Sequence, residues 1–234
     1  RGWGGRFMDQ VVASAPNQNR IFSAISATSN DVFLAGEDVT QFKIGSGGIQ
    51  EPSLYSNRGI LGGSDGDDAA REKIRAFLAK RDFQRNSLFE QDITNSTAKA
   101  VENTEQFAAA QANATPLSTV FPGTRLASQM RSVAETIKIR QFLNVSRQMF
   151  YTSTGGYDTH SNQANSIAGR HEELAGAIAA FREAMIEIGE WDNVVVFTAS
   201  DFGRTVIDNG NGTDHGWGGH HFVAGGQVQG RRLY

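Results

Sequence analysis

Val194-Val195-Val196-Phe197-Thr198-Ala199-Ser200-Asp201 is the stretch on which the fold turns. Its apolar front is continuous and β-branched, the pattern of a strand covered on both faces of a parallel sheet. Residues 145–152 (VSRQMFYT) read as an earlier strand. Residues 162–188 read as a long helix, with Leu174, Ile178, Phe181, Met185 and Ile188 in one stripe. Strand, helix and buried strand make a βαβ unit, so both strands are expected side by side and parallel, with their carboxyl ends on one edge. The fold class this implies is α/β, a mostly parallel central sheet flanked by helices.

Outward from that unit, residues 5–14 read as a short helix with Phe7, Val11 and Val12 on one side. Residues 21–27 (IFSAISA) alternate like a strand, 31–36 form a second short apolar run, and 40–44 offer a third. The Gly-, Ser- and Asp-rich residues 45–68 read as a long loop. A helix capped by Asp67 or Asp68 is expected to about residue 82, with Ile74, Phe77 and Leu78 inward. A polar helix over 87–113 reads as part of a surface hairpin. Leu126, Met130, Val133 and Ile137 are spaced by four, three and four residues, a clean amphipathic stripe. Residues 67–143 are therefore expected as a helical insertion within one domain spanning 1–234. Residues 221–224 suggest a further strand.

The totals narrow the function classes. A chain of 234 residues holds a sizeable core. A net charge of −3 gives no electrostatic case for nucleic acid or an anionic membrane. No apolar run approaches the roughly 20 residues of a membrane span. With no cysteine, thiolate metal sites, disulfides and a cysteine nucleophile are excluded. The chain opens at Arg1 and stops at Arg231-Arg232-Leu233-Tyr234, and reads as a fragment or processed form.

All five histidines lie from His160 onward. Asp158 and His160 are two apart, and in extended backbone such residues face the same side, whereas on a helix they would diverge by about 200°. Asp201 follows the buried-strand candidate, and His215 sits among glycines with no helical or core reason to be there. Carboxylates and imidazoles at strand ends suit a divalent metal: zinc, manganese, iron or calcium. The bland alternatives are a turn for Asp158, a cap for Asp201 and a structural pair between Arg204 and Asp201 or Asp208. Arg204 could equally hold a phosphate or sulfate oxyanion. Residues 208–214 (DNGNGTD) read as a tight turn, because their spacing does not match a calcium loop. At most one of His220 and His221 can join a site, since strand neighbours face opposite sides. His171 reads as solvated. No P-loop, G-x-S-x-G or H-E-x-x-H is present.

The motifs GWGGRFMD, GGYDTHSNQ, VVVFTASDFGRT and NGNGTDHGWGGHHFVAGGQVQG resemble the bacterial domain-of-unknown-function family numbered 1501, most specifically over residues 145–234. The resemblance implies membership of the alkaline-phosphatase and sulfatase-like superfamily. It implies a central parallel sheet, a metal-assisted hydrolase site at the strand ends, a small anionic ester as substrate, and export to the periplasm or beyond. By that resemblance Asp158, His160 and His215 match one metal's ligands, and Asp201 matches a ligand of a second. The superfamily's usual Asp-His pair is Asp201-Phe202 here, so one imidazole is missing. The Asp-x-His spacing is also tighter than usual. The resemblance further implies a nucleophile upstream of Arg1. The opposing expectation is a non-catalytic exported binding or assembly protein on a hydrolase-like scaffold. Oligomerisation is left open.

Overall fold

The computed structural model describes residues 2–14, 17, 19–28, 32–46, 48–49, 68–79 and 87–233. Among them the central sheet is built from β1 (Ala24–Ser26), β2 (Phe42–Gly45), β3 (Gly48–Ile49) and β4 (Met149–Tyr151), in the order β3-β2-β1-β4. β1 runs parallel to both neighbours, with Ile25 opposite Phe42 and Phe150. β3 is antiparallel to β2. Five α-helices accompany this mostly parallel sheet: α1 (Trp3–Ser14), α2 (Asp68–Ala79), α3 (Leu88–Ala112), α4 (Arg125–Lys138) and α5 (Gln163–Glu187).

The strand covered on both faces is β1. Its three residues are all buried, and adjacent side chains leave the sheet on opposite faces. Ala24 joins Met8 and Val12 of α1 with Leu34 and Val39. Ile25 joins the main core with Met130 and Val133 of α4 and Phe181 and Met185 of α5. The small residues around Ile25 let helices approach from both sides. The expected stripe of α4 is buried as read, and Thr124 caps the helix by accepting from the Ala127 amide at 3.2 Å. On α1 the inward residues are Met8 and Val12, and Phe7 is exposed.

The βαβ expectation fails at its second strand. β5 (Val195–Phe197) does not join the central sheet; it pairs antiparallel with β8 (Val223–Gly225), Val196 opposite Ala224. Nor is it covered on both faces, since Val195 is 58% exposed and Phe197 43%. A β-branched run favours extended backbone but says nothing about which strand lies beside it. A third small unit pairs β6 (Gly203–Arg204) with β7 (His215–Gly216).

The strand expected over 145–152 shortens to β4, and the apolar run near Val32 to Leu34 is a 3₁₀ turn. α2 and α3 pack together through Leu78, Ala98 and Val101. α3 is a surface element only at its start: Phe107 and Ala110 reach the main core. The Asp67 cap, the end of the helix expected to residue 82 and residues 47 and 50–67 of the long loop lie outside the described residues. No helix among the described residues is long and apolar enough to cross a membrane.

Buried amide side chains fix the segments around β4. Asn17 donates to the Ser23 hydroxyl at 2.6 Å and the Arg147 carbonyl at 2.7 Å, and accepts from the Ser146 amide at 2.8 Å. Gln129 of α4 brackets Ser153, accepting from its amide at 2.8 Å and donating to its carbonyl at 3.0 Å. The chain therefore leaves β4 on a fixed course.

Candidate metal centre

Two loops make the site. The first follows β4 and ends where Asn162 takes a left-handed conformation (φ 53°) before α5. Tyr157 tethers it by donating to the Arg170 carbonyl at 3.2 Å, and Thr159 is buried. The second is the β6–β7 hairpin, whose turn closes as its sequence suggests: Asp208 accepts from the Gly210 amide and Asn209 from the Gly212 amide, each at 2.8 Å.

Main-chain and amide contacts lock the loops together. The Gln163 amide donates to the Asn211 carbonyl at 3.1 Å, and the Asn162 amide to the Asn211 side chain at 3.0 Å. The Thr213 amide donates to the Thr159 carbonyl at 3.3 Å. Gly212 sits so close that a Cβ there would fall 2.4 Å from the Thr159 carbonyl oxygen. Asp158 and His160 thus meet His215 as expected, although a shared edge of one sheet is not the reason. The hairpin docks directly on the loop.

One oxygen is the focus. Asp158 Oδ1 lies 2.9 Å from His215 Nε2 and 3.0 Å from His160 Nε2. Arg204 Nη2 donates to the same oxygen at 3.0 Å. The ligand atoms of Asp158, His160 and His215 all fall within 4.8 Å of one another, on the exposed surface. These contacts hold the Asp158 carboxyl below the usual carboxylate range, the hydrogen bond from His215 contributing most and that from Arg204 less. Asp214 Oδ1 stands 2.9 Å from His160 Nδ1, and that hydrogen bond chiefly lowers the Asp214 pKa.

The rings are stacked in series. His160 and His215 lie 5.0 Å apart, and Phe202 lies 4.1 Å from His215 at 8° to its plane. The Arg204 guanidinium covers Phe202 at 4.8 Å. Phe202, stacked on His215, fixes the plane of that histidine.

His160 has a carboxylate against each ring nitrogen. A neutral imidazole has one N–H, so one face must turn a lone pair toward a carboxylate. A cation on Nε2, either a proton or a metal ion, removes that conflict. The donor set fits a metal: two imidazoles and a carboxylate are a common catalytic zinc set. Donors on a tetrahedral ion with bonds of about 2.1 Å stand about 3.4 Å apart, so the two carboxylate–imidazole distances, 2.9 and 3.0 Å, need widen by only about half an ångström. Asp214 supplies the carboxylate that commonly orients a metal-bound histidine from behind.

Of the remaining expected residues, Arg204 reaches the site and Asp201 does not join its ligand cluster. Asp201 is exposed, outside the three-residue cluster, with no hydrogen bond or ion pair among the described residues. Arg204 pairs with neither Asp201 nor Asp208. Besides Asp158, it donates to the Thr213 carbonyl at 2.5 Å and the Tyr157 carbonyl at 2.7 Å. Those contacts use both terminal nitrogens of the guanidinium to join the loops. His221 Nδ1 lies 3.4 Å from the Thr198 hydroxyl, His220 is exposed, and the His171 ring stands 6.1 Å from Tyr157. Sequence reading did not single out Asp214, although it adjoins His215. Here its target is a histidine from the other loop.

The family described as a protein of unknown function (DUF1501) matches residues 17–234. The chain belongs to that family. Comparisons with curated proteins and with solved structures gave no match.

Proposed function

We propose that this protein is a metal-dependent hydrolase of small phosphate or sulfate esters, with one divalent ion held by Asp158, His160 and His215. The observation that carries the metal is the convergence of two imidazole Nε2 atoms on Asp158 Oδ1, at 2.9 and 3.0 Å, with Asp214 behind one of them. The ester chemistry and the exported setting rest on the resemblance of the four motifs to the 1501 family and on the alkaline-phosphatase and sulfatase-like superfamily that this resemblance implies.

Asp158, His160 and His215 would hold a zinc or manganese ion, which would supply an acidified water and stabilise charge developing on the ester. Asp214 Oδ1, 2.9 Å from His160 Nδ1, would accept a hydrogen bond there and so leave Nε2 to the ion. Phe202 holds the His215 ring plane. Arg204 ties Tyr157, Asp158 and Thr213 together. Asp201 has no part in this ligand set.

Calorimetric titration of chelator-treated protein with zinc or manganese, alongside hydrolysis of nitrophenyl phosphate and sulfate, tests the reading. Expected are one ion per chain and metal-dependent turnover, both lost in His215→Ala. A correctly folded protein that takes up no zinc or manganese at neutral pH refutes the metal. Metal uptake with no hydrolysis of either ester refutes the chemistry.

A second reading, a binding or assembly protein on the same scaffold, is favoured by the start of α3, where Leu88 and Phe89 are each 82% exposed. Light scattering of the purified chain tests it. Self-association abolished by Leu88→Ser with Phe89→Ser supports it, and a monomer at all concentrations removes it.

A further inference from the structure

Beside the metal centre the loop from β4 forms an open cleft of about 280 Å³, lined by Ser153, Thr154, Gly155, Gly156, Arg125 and Arg170. We infer that this cleft is a binding subsite for a tetrahedral oxyanion, a phosphate or sulfate group.

Two arginines and a backbone run with two glycines line the same space. Arg125, in the first turn of α4, is exposed and has no hydrogen bond or ion pair among the described residues. Arg170 of α5 lies across Gly156, where a Cβ would fall 2.6 Å from Nε. Gly156 also has φ +88°, so no other residue suits that turn beneath the guanidinium. The backbone amides of Thr154, Gly155 and Gly156 have no acceptor among the described residues, although their neighbour Ser153 is held at both its amide and its carbonyl by Gln129. Guanidinium groups beside backbone amides that the protein leaves without an acceptor are donors suited to an anion. Glu173 also lines the cleft and lies 3.4 Å from Arg170 Nη1, so one of the two arginine charges is offset and the other is not.

The order along the chain gives the subsite its sense. Gly155 and Gly156 run through Tyr157 directly into Asp158, so a group held here sits within a few residues of the metal ligands. On the ester-hydrolase reading, this subsite takes an anionic group of the substrate. The binding itself does not depend on that reading, because the receptor shares no residue with the ion's ligands.

The experiment is an amide-resolved NMR titration of chelator-treated protein with inorganic phosphate, sulfate and chloride at constant ionic strength. Phosphate and sulfate should shift the Thr154, Gly155 and Gly156 amides saturably, and chloride should not. Arg125→Gln, an exposed change that leaves α4 capped by Thr124, should weaken binding at least about tenfold, as loss of a charge-assisted donor does. His215→Ala should leave phosphate binding intact while abolishing metal uptake, which separates failure of the subsite from failure of the metal centre. Absence of saturable shifts up to about 10 mM phosphate, an affinity too weak to matter, overturns the inference. Equal shifts with chloride, or unchanged affinity in Arg125→Gln, overturn it as well.

Discussion

Asp214 touches no ion in the proposed centre, and its replacement is the most discriminating perturbation. Its Oδ1 lies 2.9 Å from His160 Nδ1, and Asn209 donates to the same oxygen at 3.4 Å. Asp214→Asn keeps an acceptor of similar shape but removes the charge that favours a proton on Nδ1. Asp214→Ala removes both. Loss of such a supporting carboxylate typically weakens metal binding about 10- to 100-fold. The expected order of zinc affinity is therefore wild type, then Asp214→Asn about tenfold weaker, then Asp214→Ala nearer 100-fold weaker. His160→Ala, which deletes a ligand, should be weaker still. Competition against a chromophoric zinc chelator at pH 7.5 reads the affinities, with circular dichroism to confirm the fold. If Asp214→Ala binds zinc as tightly as wild type while His160→Ala does not, the orienting role is wrong. If neither weakens binding, the centre itself is wrong.

Other expectations follow from single contacts. Gly212→Ala places a methyl against the Thr159 carbonyl, so it should part the loops and weaken zinc binding at least about tenfold in the same competition assay. Leu143→Ala empties a fully buried position in the main core and should cost about 2–5 kcal/mol in denaturant unfolding while leaving the ligand set in place. Glu187 accepts from the Ser118 and Thr119 amides and the Thr119 hydroxyl, which brings its carboxyl down to about 2 from an ordinary 4.5. A lowered folded-state pKa contributes stability above the ordinary value, and that contribution is lost as pH falls toward 2. Glu187→Gln should thus lower the melting temperature at pH 7, by an amount that shrinks below pH 4.5 and vanishes near pH 2. A difference independent of pH would contradict the assignment.

How much could be read from sequence depended on whether the signal was local. The α4 stripe was legible because its i, i+3 and i+4 spacing describes one surface directly. The Asp158 and His160 pair was legible from its two-residue spacing, although the backbone there is a tight turn, the Thr159 amide donating to the Tyr157 carbonyl at 3.0 Å, and not extended. The partner of β5 was not, because the same valines suit a central strand or an exposed hairpin. β1 was underrated for the converse reason: Ala24, Ile25 and Ser26 look weakly apolar, yet small residues let helices close over both faces. Arg204 and Asp214 reach groups 46 and 54 residues away, and no spacing rule encodes such contacts.

The unequal packing of α5 has a mechanical consequence. Its buried residues, Ala177 to Met185, lie in the second half, while the first half projects toward the loop that bears Asp158 and His160. From Ala177 to the first residue of the helix is roughly 20 Å at 1.5 Å per residue. That projecting half is a lever arm: a tilt of about 1° at its fulcrum moves the tip by about 0.4 Å, beyond the ±0.2 Å that metal–ligand distances tolerate. The bonds from Asn162 and Gln163 to Asn211, with that from Tyr157 to the Arg170 carbonyl, restrain the tip, and they couple the pitch of a helix to the spacing of the proposed ligands.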